Sequence, residues 1–272
     1  MKLLFRITAL LCVGAIFLVL SSCKHDKGVA PTAVQTWSNL VLKAAMETPA
    51  PAGRNEEGEA NLTLMSDNSL KYDFHIHNLS PSDQLTAAHI HVGDAVTAGP
   101  VFINLNPSFS GPGASGTVTG LRAGQVDSLL HMPVYINVHS TQVPGGLVRS
   151  QMDKSVSFAV DIPLSGNNEV PAVATTASGL AMLRLSGDTL FSLVSYTGIE
   201  PTDTFTVSHI HRGAAGVNGQ VRIFLASSLA DFNVPRKTFL LDSLKTMLLN
   251  DPVYVNAHTK TKPGGKIRGQ IR

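Results

Sequence analysis

Six of the ten histidines in this 272-residue chain fall in a pattern that occurs twice. "AHIH" sets His89 and His91 one residue apart, "SHIH" does the same with His209 and His211, and further on "VYINVHS" carries His139 and "VYVNAHT" carries His258. Histidines at i and i+2 of a strand send both imidazoles to one face. A third histidine there would complete a three-nitrogen set suited to zinc or copper. The competing chemistry is a hydrogen-bonded polar layer, in which imidazole, amide and guanidinium satisfy one another and nearby carbonyls without an ion. An arginine beside the histidines favours the layer, because a fixed cation repels a metal unless a carboxylate compensates.

The strands that must carry these side chains assign their direction by parity. In "PVYINVHS" Val134, Ile136 and Val138 share one face, and Tyr135, Asn137 and His139 the other; Val253, Val255 and Ala257 oppose Tyr254, Asn256 and His258 in the same way. The closing strands put Arg149 and Gln151, or Arg268 and Gln270, on the polar side. A hairpin through "VPGG" or "KPGG" brings Arg149 across from Asn137 and His139. Each unit thus gathers three histidines with Asn137, Arg149 and Gln151, or with Asn256, Arg268 and Gln270, unless a β-bulge intervenes. Glu169, with Glu47 as its looser counterpart, is expected to pair with the arginine. His75 and His77 read as a solvated polar face, extending a metal surface only if their strand is a hairpin neighbour of His89 and His91.

The twofold pattern extends beyond the histidines. "AAHIHVGDAVTAGPVFINL" matches "VSHIHRGAAGVNGQVRIFL", and "PVYINVHSTQVPGGLVRSQM" matches "PVYVNAHTKTKPGGKIRGQI", so the chain is a tandem duplication. "SLKYDFHIHNL" alternates apolar and polar residues, and glycine and proline recur between short β-branched runs. One segment per unit breaks this period: Leu240, Leu241, Leu244, Met247 and Leu248 recur at helical spacing before Pro252, and Val126, Leu129 and Leu130 before Pro133. The expected fold is all-β, two tandem antiparallel β-sandwich domains, each with a short crossover helix before its last hairpin. The boundaries read as a signal at 1–22, a tether at 23–36, and domains at 37–152 and 153–272.

"MKLLFRITALLCVGAIFLVLSS" has the charged start and apolar run of an export signal. It ends in "LSSC", which resembles the lipobox of bacterial lipoproteins, with Cys23 as the lipidated first residue. The two cysteines, Cys12 and Cys23, both belong to this segment. Without Lys2 and Arg6 the 21 basic residues fall to 19, equal to the 19 acidic ones, a balance that argues against a nucleic-acid partner. The expected location is the cell envelope, held to the membrane by the lipid, with lysine after Cys23 favouring the outer membrane. "GAAGVNG" lacks the following helix of a phosphate cradle and reads as a turn. No G-x-S-x-G, H-E-x-x-H or P-loop motif is present. Trp37 is expected to pack on the first strand.

The ordered set of HIH, a glycine turn, and "VYINVHSTQVPGGLVRSQ" or "VYVNAHTKTKPGGKIRGQ" resembles the CHRD domain, as does the upstream "SGNNEVPAVATTASGLAML". The resemblance implies secreted or surface β-domains with no common activity, hence a non-enzymatic binding or structural module with a protein partner at the envelope. The alternative is an envelope zinc- or copper-binding protein, redox active in one version, using the six histidines. A β-sandwich with His-x-His is also loosely similar to copper-zinc superoxide dismutase, but neither unit has that family's further ligands or disulfide.

Overall fold

The computed structural model describes residues 29–272, of which Pro31–Arg272 form one compact unit. The segment expected to be an export signal, and Cys23, lie outside the described residues. Each repeat is an eight-stranded antiparallel sheet. In the first, β1 (Ala33–Lys43), β2 (Glu57–Met65), β3 (Leu70–His77), β4 (Leu85–Val92), β5 (Val101–Asn104), β6 (Gly113–Val118), β7 (Val134–Ser140) and β8 (Val148–Gln151) lie in the order β5-β4-β7-β8-β1-β2-β3-β6. The second repeat, β9 (Phe158–Ser165), β10 (Ser178–Ser186), β11 (Thr189–Thr197), β12 (Phe205–Arg212), β13 (Gln220–Ala226), β14 (Arg236–Phe239), β15 (Val253–Thr259) and β16 (Ile267–Gln270), repeats it as β13-β12-β15-β16-β9-β10-β11-β14.

Within each sheet the two halves meet at a single residue pair, Lys43 with Arg149 and Ser165 with Arg268. The sheet folds over at that corner, and the halves face each other across one apolar core. Leu62, Tyr72, Phe74 and Ile76 of one half meet Ala88, Ile90, Ile136 and Val138 of the other. Strand β3 shows why these residues make a strand, since its side chains alternate strictly between buried and exposed. Each fully buried Ile or Leu contributes about 1.5–3 kcal/mol. Trp37 joins the same core.

The crossover helices are α1 (Ala123–His131) and α2 (Asp242–Asn250), each leading into the strand that carries Asn and the third histidine. Leu129, Met247 and Leu248 are their buried contacts. Leu130 and Leu241 depart from the helical pattern: Leu130 faces solvent, and Leu241 is exposed and precedes the first turn of α2. The tether is shorter than expected, because Ala33–Thr36 already belong to β1, pairing with β2.

Candidate metal centre

The strand registers set the polar residues of each domain opposite one another. Across β4 and β7, His89 lies opposite Asn137 and His91 opposite Tyr135; across β7 and β8, Asn137 lies opposite Arg149 and Tyr135 opposite Gln151. The second repeat has the same register, with His209 opposite Asn256, His211 opposite Tyr254, and Asn256 opposite Arg268. Register shifts do occur in β4 and β12, but against β7 and β15 they fall before Ala87 and Val207, so the histidines keep their facing.

In each domain three imidazole nitrogens, from His89, His91 and His139 or from His209, His211 and His258, lie within 4.8 Å of one another. The tautomers follow from the partners. His91 Nδ1–H donates to the Gly99 carbonyl at 2.9 Å and His139 Nδ1–H to the Pro144 carbonyl at 2.8 Å. His211 and His258 repeat this with Gly219 at 3.0 Å and Pro263 at 2.8 Å. A carbonyl only accepts, so both rings keep their Nε2 lone pair. Carbonyls holding the far nitrogen of an imidazole are the usual support of a metal-binding histidine.

His89 Nδ1–H donates to His139 Nε2 at 3.0 Å, and His209 Nδ1–H to His258 Nε2 at 3.2 Å. A tetrahedral ion with nitrogen bonds of 2.0–2.1 Å spaces two ligands by about 3.3 Å, so each pair stands close to that edge length. The third nitrogen, Nε2 of His91 or His211, is buried with no hydrogen-bond partner. Such a lone pair has lost water and gained nothing in exchange.

Burial and the neighbouring imidazoles push His89 and His209 down to about 4. Burial likewise lowers His91, His139, His211 and His258. All six are therefore neutral near pH 7; His91 and His211 hold a free Nε2 lone pair, and His89 and His209 offer Nδ1 to an ion once their proton moves to Nε2, which also frees Nε2 of His139 and His258.

The arginines lie on the far side of a tyrosine. Arg149 Cζ sits 3.4 Å from the Tyr135 ring centroid, and that ring stacks on His91 at 4.9 Å and 9°. Arg268, Tyr254 and His211 repeat the stack at 3.3 Å, 4.9 Å and 9°. The same tyrosine hydroxyl accepts the N–H of Gly99, or of Gly219, at 3.1 Å, so one glycine links the ring to the histidine. A Cβ on that glycine would fall 1.5 Å from the Val92 carbonyl oxygen, or 1.7 Å from that of Arg212. Parity put the tyrosines on this face, but their insertion between cation and imidazole was not read from the sequence.

Arg149, 1% exposed, donates to the Thr97 carbonyl at 3.1 Å, to Thr48 Oγ1 at 3.0 Å and to Gln151 Oε1 at 2.7 Å. Arg268 donates to the carbonyls of Ala214 and Val217. Gln151 and Gln270 donate to the Gly93 and Gly213 carbonyls. The expected glutamate–arginine pair is replaced by a glutamate–asparagine one: Asn137 donates to Glu47 at 2.7 Å, and Asn256 to Glu169 at 2.9 Å. The reason is geometric, since the guanidinium is spent on loop carbonyls and the tyrosine face. Burial raises Glu47 to about 8 and Glu169 to about 7, against the lowering influence of Arg149 and Arg268. Gly146 and Gly265 adopt φ +136°, where a Cβ would stand 2.5 Å from the asparagine Nδ2.

Two further residues escaped sequence reading. Buried Asp83 accepts from Ser140, Thr141 and the Gln142 N–H, and buried Asp203 from Thr259 and Thr261. Burial works against their ionisation, but these hydrogen bonds prevail and hold both well below the usual carboxylate range. They pin the turn directly after His139 and His258. His75 and His77 do not join the cluster, because β3 pairs with β2 and β6 rather than with β4, and His77 pairs with exposed Glu59.

Fold and site together define a tandem β-sandwich protein with one three-histidine cluster, buried in domain two and partly buried in domain one, and one arginine–tyrosine–histidine stack per domain. The CHRD domain family model matches residues 39–152 and 160–271, and the chain belongs to that family. No curated protein and no solved structure matches it.

Proposed function

We propose that this protein is a metal-binding module of the cell envelope, holding one zinc or copper ion in each domain through His89, His91 and His139 and through His209, His211 and His258. The observation that carries the reading is the unpartnered, buried Nε2 of His91 and of His211, beside a second imidazole, His139 or His258, whose carbonyl-bound Nδ1–H likewise leaves the lone pair on Nε2. Three neutral nitrogens leave the ion its full charge and a position for water or an outside donor. The tyrosine between arginine and imidazole weakens the objection that the arginine would repel the ion. The N-terminal sequence supports an exported protein held to the membrane, outer membrane by preference, through lipidated Cys23. It acts as a binding or structural module there rather than as an enzyme.

Metal-stripped protein titrated with zinc or copper should take up two ions per chain, and its melting temperature should rise with ion concentration. His211→Ala and His91→Ala should each reduce uptake to one. No uptake by folded, metal-stripped protein would leave the clusters as hydrogen-bonded layers and end the metal reading.

A further inference from the structure

The two domains present homologous ends to different surroundings. In domain one, the turn after HIH buries Ala95 and Val96 against Met182 and Phe191 of domain two, with Leu180 and Leu193 packed around them. Arg184, fully buried on the same strand face, donates to the Glu47 carbonyl at 2.6 Å and pairs with Asp161 at 2.7 Å. Asp161 in turn accepts the Ala50 N–H at 2.8 Å. A glutamate-bearing end is therefore capped by a sheet face that offers an arginine among apolar side chains.

The homologous end of domain two is uncapped. Ala215 and Gly216 stand where domain one has Ala95 and Val96, and with Glu169, Val170, Arg268 and Gln270 they line an open cleft of about 290 Å³. Ala215 and Gly216 are exposed, whereas Ala95 and Val96 are 2% and 1% exposed. Gln270 Oε1 is buried without a partner, whereas its counterpart in Gln151 accepts from Arg149.

We propose that this end of domain two is a protein-docking surface, and that its partner is a β-sheet face carrying an arginine among aliphatic and aromatic side chains. The intramolecular contact is the template for the chemistry. Among the described residues, a second copy of the chain does not supply such a face. Its Met182 and Phe191 are already covered, and the corresponding face of domain one presents Glu59, Asn61, Thr63, Lys71 and Asp73. The occupant is therefore a different protein, built like domain two on its outer face. The inference is independent of whether the histidines hold an ion.

The test gives the full chain the missing face. Glu59→Leu, Asn61→Met, Thr63→Arg, Lys71→Phe and Asp73→Leu together copy the domain-two face onto domain one. Docking at the free end should then join molecules head to tail, a heterologous contact that does not close. In sedimentation equilibrium the weight-average mass should at least double by about 100 µM, while the parent stays monomeric. Adding Ala215→Asp and Val217→Asp on the exposed turn should restore the monomer. A folded fivefold variant that remains monomeric, or one that associates equally well with the blocking pair present, overturns the proposal. Should the fivefold variant not fold, Thr63→Arg with Lys71→Phe alone carries the same two readouts.

Discussion

The two domains agree inside and differ outside. The inner polar layer repeats within a few tenths of an ångström: histidine to histidine at 3.0 and 3.2 Å, arginine to tyrosine at 3.4 and 3.3 Å, tyrosine to histidine at 4.9 Å in both. The outer sheet faces share nothing comparable, since Glu59, Asn61, Thr63, Lys71 and Asp73 stand where domain two has Leu180, Met182, Arg184, Phe191 and Leu193. The outer faces follow each domain's place in the tandem: domain two must receive its neighbour, and domain one must not attract another. The inner layer answers to a demand that both domains meet.

The largest test of that agreement removes the arginine. Each guanidinium is 1% exposed and serves several loop acceptors, so Arg149→Met or Arg268→Met strands buried carbonyls and should cost about 3–5 kcal/mol in chemical denaturation. If the inner layers are equivalent, the two losses match. A larger loss for Arg149→Met measures how far its layer also supports the docked turn, because Thr97, whose carbonyl Arg149 holds, follows Val96 directly.

A smaller effect separates the two clusters by their covering. His209 carries the Phe224 ring edge-on at 4.5 Å, whereas His89 has Asn104 at the matching ladder position. All three domain-two histidines are buried, whereas His89 and His139 are half-buried. An ion in domain two should therefore exchange more slowly, and Phe224→Asn should speed its release to a chelator by about tenfold, the lower end of what supporting residues contribute. Equal release from both domains in the parent would remove this distinction.

Much of the inner layer was legible in the sequence, because strand parity is a strict period and the PGG hairpin fixes its register. Val134, Ile136 and Val138 went to the core, and Asn137, reached by Arg149, to the opposite side. What parity could not supply was the third dimension. Which groups stack, and which loops cover the polar face, depends on turns that carry no period: Gly99 and Pro144 reach the histidines from the loops that follow their strands, and Asp83 reaches Thr141 from across the sequence. The start of β1 was missed for a related reason, since Ala33–Thr36 are exposed and show no alternation to read. The interdomain contact was hidden because an apolar outer face looks like a more hydrophobic strand until its neighbour is placed against it.

The smallest effect is carried by the glutamates and follows from the difference in their burial. A buried carboxyl raised above its ordinary range binds a proton in the folded state that the unfolded chain has already released. Folded protein then holds more protons than unfolded protein between the two values, and stability falls as pH rises through that interval. Glu47, raised to about 8, spreads its decline from about 4.5 to about 8, whereas Glu169, raised to about 7, completes its own by about 7. Between pH 7 and 8 only domain one should still lose stability through this group, by about 1 kcal/mol for the one-unit difference. Melting temperature against pH should therefore flatten above 7 in Glu47→Gln but keep its slope there in Glu169→Gln. Arg184 favours the charged form of Glu47 from across the domain boundary, so Arg184→Gln should push the end of the decline to higher pH. An unchanged profile in Arg184→Gln would show that the interdomain contact leaves the inner layer of domain one electrostatically untouched, making the two layers equivalent in this respect as well.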